Sequence, residues 1–334
     1  MNIQNFTTSY IENSSAYELT SEEQKIIQHE GLNRFIFNKL NSSKYRSTSI
    51  DKDYKQKIID KINLCLNHEI PIYITLPFGA TKNPYLPTAP NIDLAEVFNI
   101  AFIREYLKPI AKAYKHGVIL EYISVAVFEE QVNRIPIEDT DLYDSQFTKL
   151  IEFYKHYVPE NLHLIFSRVG DLISRDKIEQ QIALKKEELR KQWENLPKDV
   201  RDYKLFRAKR NVLFDTNEKN SESLILEAVL GHDAFCSECW STDPAPWDKK
   251  HLITLGHTYT SGWAIHVRSV PGSTINFWSG TGVLVEKGNK ITPTVLSPSQ
   301  YNNLRSNIKY EEYENDQLTG INNNFNKIPV ITKN

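Results

Sequence analysis

Between Leu76 and Glu96 the sequence LPFGATKNPYLPTAPNIDLAE places one lysine, Lys82, and two carboxylates, Asp93 and Glu96, in a loop broken by proline and glycine. The loop follows a short apolar run, PIYITL at Pro71–Leu76, and precedes an amphipathic pattern through Ala95, Val97, Ile100 and Ala101. It therefore leaves the carboxyl end of a strand, the edge at which open α/β sheets gather ligands, so these three side chains have a geometric reason to face a crevice. The same residues also read as a surface connection whose aspartate caps the next helix. In WAIHVRSV the strand period of two puts His266 and Arg268 on one face and Ile265 and Val267 on the other. A histidine able to move a proton beside a rigid guanidinium fork suits an anionic substrate; the plain alternative is an exposed antiparallel face. In YKLFRAKRNVLF, Arg207 and Arg210 share a helix face with Lys209 close behind, as a phosphate clamp or as a solvated surface.

GHDAFCSECW offers a different chemistry. Cys236 and Cys239 have a metal-like spacing, with His232 upstream and His251 and His257 downstream. That is half a zinc site, because a structural zinc needs four placed ligands and no second cysteine pair exists. The stretch reads equally well as a helix with Ala234, Phe235, Cys236 and Cys239 as core positions, and Cys65 sits among apolar helix positions as packing. No P-loop, paired-glycine dinucleotide fingerprint, nucleophile elbow or His-Glu-x-x-His motif occurs, which removes the usual support for ATP, NAD and serine-hydrolase readings.

At 334 residues and 40% hydrophobic, the chain can bury a full core. A formal net charge of -2 and a pI near 6.5 argue against a surface that coats nucleic acid. MNIQNFTTSYIENSS lacks the apolar centre of a secretory signal, and no apolar run approaches membrane-spanning length. With three cysteines and no disulfide framework, a cytoplasmic protein in a reducing compartment is expected.

The elements that must position these residues follow from periodicity. Thr20 and Glu23 read as a capping box ahead of a packing helix, and Asp51 to His68 is a helix feeding the strand at Pro71. The helix after Asp93 should break or kink at Pro109 and end near His116 and Gly117. Strands at 117–123 and 162–166 flank a helix at 139–157, an order favouring parallel pairing. Residues 174–215 read as a charged, partly solvated helical excursion, and 221–240 as a further helix. LITLGHTY, WAIHVRSV, TINFW and GVLVE then read as strands joined by short turns. The expectation is an α/β fold: a Rossmann-like, mostly parallel sheet flanked by helices, with an antiparallel extension from the C-terminal third. Its parts are a helical segment at 1–70, a parallel core at 71–170, a helical excursion at 171–240, a β-rich part at 241–316 and a loosely ordered tail at 317–334.

The Leu76–Glu96 segment resembles the hallmark segment of the isonitrile (isocyanide) synthases of pyoverdine and dityrosine biosynthesis, in which an apolar strand enters a loop with Lys-x-Pro and then Asp-x-Ala-Glu. Lys82, Pro84, Asp93, Ala95 and Glu96 match. The likeness continues through YKHGVILEYI and YDSQFTKLIEFY to WAIHVRSVPGS, where Arg268 matches an arginine of the family's late strand. After the second strand the family has an Asp-Gly turn, and this chain has ISVAVFEEQVNRIP instead. The resemblance implies a Rossmann-like enzyme of secondary metabolism, with transferase or lyase chemistry. It would convert the amino group of an aromatic amino acid, tyrosine or tryptophan, to an isonitrile with ribulose 5-phosphate as carbon donor. It implies no cofactor and a partner oxygenase. Amine and ketone must condense, protons must leave neighbouring carbons and the sugar remnant must be expelled, so acids, bases and phosphate anchors are required. Under that implication Lys82 holds an anionic group or activates the carbonyl, Glu96 or Asp93 moves protons with His266 as a second acid-base group, and Arg268 with Arg207 or Arg210 grips phosphate or carboxylate. Two other readings stay open: a binding protein for a phosphorylated sugar or amino acid derivative, and a metal-dependent hydrolase or lyase built on His232, Cys236, Cys239 and His257.

Overall fold

A computed structural model describes residues 2–211, 221–235, 253–257 and 264–333. The apolar run after Pro71 becomes β1 (Ile72–Phe78), buried along its whole length. It pairs in parallel with β2 (Val118–Ser124), which pairs in parallel with β3 (Leu162–Arg168). On its other side β1 meets β4 (Ile253–Gly256) and then the two-residue β5 (Ile265–His266), both parallel as well. The order β3-β2-β1-β4-β5 reverses direction at β1, so the switch point of the sheet lies between the carboxyl ends of β1 and β4. A central strand covered on both faces has no polar side, hence the unbroken hydrophobicity of IYITLPF. LITLGHTY and WAIHVRSV, expected in an antiparallel extension, instead complete this parallel sheet: period two identifies a strand but is blind to its partner.

Four helices precede the sheet: α1 (Ile3–Ile11), α2 (Ser21–Glu30), α3 (Leu32–Leu40) and α4 (Lys52–Asn67). The Thr20/Glu23 capping box forms, and α4 starts at its Asp51 cap and buries Tyr54, Ile58, Ile62 and Cys65. Between β1 and β2 runs α5 (Leu94–Ala113), which continues through Pro109 for a further turn rather than ending there. Seventeen of its 20 residues are buried, so packing on all sides sustains a helix that a proline in a solvated stretch would end. After β2 come α6 (Ala126–Gln131) and α7 (Ile137–Tyr154). The charged excursion after β3 comprises α8 (Val169–Leu172), α9 (Arg175–Trp193), α10 (Lys198–Asn211) and α11 (Glu222–Phe235), and it has a small core of its own around Trp193, Ala208, Ile225, Ala228 and Val229.

A second sheet forms from β6 (Thr281–Lys287), β7 (Lys290–Leu296), β8 (Ile308–Glu312) and β9 (Lys327–Lys333), in the order β7-β6-β9-β8. Its outer pairs are antiparallel and its central β6·β9 pair is parallel. Helix α12 (Pro298–Leu304) links β7 to β8, and α13 (Asp316–Ile321) precedes β9. The tail from Gln317, expected to be loosely ordered, therefore supplies an inner strand, with Ile328, Val330 and Ile331 buried. Its asparagines hid this, Asn322 serving to cap the turn after α13, while the buried positions come from only a few residues of KIPVIT. TINFW is not a strand: Phe277–Ser279 is a single 3-10 turn that turns the chain toward β6. No helix among the described residues is long and apolar enough to cross a membrane.

Candidate functional site at the carboxyl edge of the parallel sheet

Lys82, Asp93 and Glu96 fold into direct contact. Asp93 is the N-cap of α5, its carboxylate accepting from the Ala95 amide at 2.7 Å, and Glu96 reaches back to the Asp93 amide at 2.8 Å, completing a capping box. The Lys82 Nζ lies 2.7 and 2.8 Å from the two oxygens of Glu96, 3.0 Å from Asp93 Oδ1 and 3.0 Å from the Phe277 carbonyl oxygen. Tyr143 on α7 donates to Glu96 at 2.7 Å. Thr88 and Thr281 donate to Asp93 Oδ2 at 3.0 and 2.7 Å, and the Gly282 amide donates to Oδ1 at 3.1 Å. Asp93 does cap the helix, as one reading of the segment had it, but the segment is not a surface connection: the carboxylates that cap the helix also hold the lysine, and all three side chains are buried. Lys82 and Glu96 are completely buried. Burial is the largest influence on Glu96 and pushes its carboxyl up to about 7, opposed by the Lys82 ammonium. The ammonium's hydrogens are all engaged by protein oxygens, which makes Lys82 a group that positions Glu96 and Asp93.

Apart from His257, which the sequence marked only as a metal candidate, the rim of the switch point is built from residues that the sequence left unmarked. Gly79 follows β1, and a Cβ there would lie 2.5 Å from Glu129 Oε1 and equally close to the Trp278 ring, so only glycine lets these two groups meet the strand end. Trp278 also stacks edge-on to His257, just past β4, with centroids 5.7 Å apart. Burial drives the His257 imidazole down to about 4, so it is neutral, and its Nδ1 sits 3.3 Å from the Val267 carbonyl. Asn99, one turn beyond Glu96, bonds the Ser269 carbonyl and receives the Tyr122 hydroxyl. Asp144 on α7 takes a hydrogen bond from Ser124 at the end of β2 and pairs with Arg168 at the end of β3 at 2.9 Å; burial pushes it to about 7. The signal for Glu129 was present as the acidic pair in VFEEQ directly after a strand, but acidic pairs are common on solvated helices.

Burial likewise pushes Glu129 up to about 7 from 4.5, against a 2.6 Å hydrogen bond from Asn133. A carboxyl whose folded pKa is raised contributes stability that is full below the unfolded value of about 4.5 and is lost as pH rises through about 7. Glu129→Gln should therefore be more stable than the parent at pH 8 by about 2 kcal/mol, with the gain shrinking toward zero at pH 5. Urea titrations of both proteins at the two pH values check this; equal stability differences at pH 5 and 8 would contradict it.

His266 is buried at the end of β5, beside His257. Extended backbone continues through Arg268, because the segment around Arg46 adds to this edge: the Ser47 amide bonds the His266 carbonyl at 2.8 Å and the Arg268 amide bonds that of Tyr45 at 2.7 Å. No ion pair or hydrogen bond joins the Arg268 guanidinium to Lys82, Asp93 or Glu96 among the described residues. Arg207 lies on α10, away from that cluster, in a hollow with His232. The Arg210 side chain, His251, Cys236 and Cys239 lie outside the described residues, and among those described no group of three or more His, Cys, Asp or Glu could hold a metal ion.

No protein-family model and no curated protein matches the sequence. Among solved structures, the PvcA protein from Pseudomonas aeruginosa superposes with a TM-score of 0.60 and 15% identity, over 90% of this chain and 99% of that one. The tyrosyl-tRNA synthetase from Aeropyrum pernix overlaps at a TM-score of 0.29 with 12% identity, over 67% of this chain and 53% of that one. The synthetase from Pyrococcus horikoshii, complexed with L-tyrosine, does so at 0.29 with 9% identity, over 60% and 46%. The synthetase overlaps are too slight to carry an argument. The PvcA superposition covers nearly the whole of both chains, and this chain has the PvcA fold.

Proposed function

We propose that this protein is an isonitrile-synthase-like enzyme that joins the amino group of an aromatic amino acid, tyrosine or tryptophan, to a carbon of ribulose 5-phosphate. The observation that carries this reading is the convergence of Lys82, Asp93 and Glu96, the residues of the resemblance, into one buried cluster at the carboxyl edge of β1, within an isonitrile-synthase-like fold. In this reading Glu96, with a carboxyl pushed to about 7, moves protons near neutral pH, and Lys82 and Asp93 hold it in place. His266 is the second acid-base group; Arg268, Arg207 and Arg210 supply the cationic contacts for carboxylate and phosphate. The reaction belongs in the cytoplasm, needs no cofactor, and hands a reactive product to a partner oxygenase. Mass spectrometry of the purified protein with tyrosine or tryptophan and ribulose 5-phosphate tests it. An isonitrile product is expected, and unchanged substrates after prolonged incubation would overturn it.

The engagement of every Lys82 hydrogen by protein oxygens favours a second reading, in which the same fold binds a phosphorylated sugar or amino acid derivative without converting it. Thermal stabilisation by the substrates with no product would select that one.

A further inference from the structure

The two acids of VFEEQ on α6 part company. Glu130 pairs with Arg175 and accepts from Thr140, whereas Glu129 turns inward and meets neither lysine nor arginine among the described residues. Its Oε2 takes the 2.6 Å bond from Asn133, and its Oε1 has no hydrogen-bond donor there. His232 on α11 is the ionisable group whose charge reaches it, and that imidazole lies 3.7 Å from Asp233. The bare oxygen has a counterpart. Trp278 Nε1 and Glu129 Oε1 each lie 2.5 Å from the point that a Gly79 Cβ would take, so they are at most twice that distance apart. The indole packs against Phe78, His257 and Phe277 but donates no hydrogen bond among the described residues. Both residues keep a small exposure, 6% for Glu129 and 9% for Trp278, so donor and acceptor flank an opening at the strand end. The Lys82 cluster adjoins it, since the Phe277 carbonyl that receives Lys82 precedes Trp278 directly. Glu129 comes from the stretch in which this chain departs from the resemblance, so the resemblance gives it no role.

An ionised carboxyl so placed lacks a cation to offset its lost hydration, and the indole N–H lacks an acceptor. One small zwitterion supplies both. We infer that the opening at Gly79 seats the head of an α-amino acid, its ammonium on Glu129 Oε1 and its carboxylate on the Trp278 N–H. In such a head one carbon separates the two charged groups, which matches an acceptor and a donor set side by side over a residue with no side chain. A sugar hydroxyl would bridge the same atoms but leave the charge of Glu129 unbalanced. That the amino acid is aromatic rests on the synthase reading; the seat for its head does not.

Calorimetry on the full chain at pH 8, above the value of about 7 to which burial pushes Glu129, tests the assignment with L-tyrosine, tyramine, which lacks the carboxylate, and phloretate, which lacks the amine. The parent should bind tyrosine about tenfold or more tighter than phloretate. Glu129→Gln should remove about that factor for tyrosine and tyramine and leave phloretate unchanged, a split that general damage to the site would not produce. Trp278→Phe, which keeps a ring and removes the N–H, should weaken tyrosine and phloretate but not tyramine. Circular dichroism of both variants confirms that the fold is kept. Phloretate binding as tight as tyrosine, undiminished tyrosine binding by Glu129→Gln, or equal loss of tyrosine and phloretate in that variant would overturn the seat. So would the failure of tyrosine and every other free amino acid to bind, or Glu129-dependent binding of ribulose 5-phosphate in their place. The synthase reading fails separately: Glu129-dependent tyrosine binding with no isonitrile keeps the seat and removes the chemistry. Isonitrile formed by Glu129→Gln at the parent kcat/KM does the reverse.

Discussion

Lys82→Met should lower the unfolding free energy by about 3–5 kcal/mol at pH 8, the cost of leaving a buried charge without its partner. The substitution keeps the length of the side chain and removes the ammonium that Glu96 and Asp93 share at 2.7 and 3.0 Å. Two carboxylates then face each other at the start of α5 with almost no access to water, and only backbone amides and hydroxyl donors remain to them. Glu96 relieves the strain by taking up a proton, so its folded pKa rises further. A raised carboxyl pKa gives stability that is present below the unfolded value of about 4.5 and lost as pH climbs through the folded one. The deficit of the variant should accordingly be smaller at pH 5 than at pH 8. Adding Glu96→Gln to Lys82→Met should restore a large part of the loss, since it removes the stranded charge. Urea unfolding of the parent, both single variants and the double variant at the two pH values measures every quantity. A loss under about 1 kcal/mol at pH 8 would mean that the pair is not buried as described.

Gly282→Ala should cost about 3 kcal/mol, for a steric reason close to the same cluster. A Cβ at 282 would lie 2.2 Å from the Ala95 amide nitrogen and 2.4 Å from the Leu94 carbonyl carbon, both backbone atoms of the first turn of α5. Neither can rotate aside, so β6 must draw back. The Gly282 amide and the Thr281 hydroxyl would then lose their bonds to Asp93. Gly320→Ala is the control: it lies inside α13, its Cβ would meet nothing within 4 Å, and alanine there should be neutral or up to about 1 kcal/mol stabilising. Thermal unfolding of the two variants gives the comparison, and a Gly282→Ala protein as stable as the parent would refute the close approach of β6 to the helix.

What could be read from residues alone was local. Apolar runs of strand length marked β1, β2 and β3; the caps at Thr20, Asp51 and Asp93 marked helix starts; and the order of these elements implied a parallel sheet with ligands at its carboxyl edge. The segment carrying Lys82, Asp93 and Glu96 stood out for the same reason, since all three fall within fifteen positions of one loop and helix start.

What that segment touches was settled only by folding. The Phe277 carbonyl that receives Lys82 is 195 positions away and the Thr281 hydroxyl on Asp93 is 188 positions away. Nothing in the periodicity of either segment encodes such a meeting. The same holds for the parallel pairing of β4 and β5, for the inner place of β9, for the passage of α5 through Pro109, and for Glu129, which became a buried acid through its fit against Gly79 and Trp278. Sequence determined which stretches could be helix or strand and where their polar ends lay, because backbone propensity and side-chain period act over a few residues. Tertiary structure decided which polar groups lost water and gained partners, because that depends on distant surfaces closing over one another, and it is this loss of water that sets the charge and proton affinity of the site.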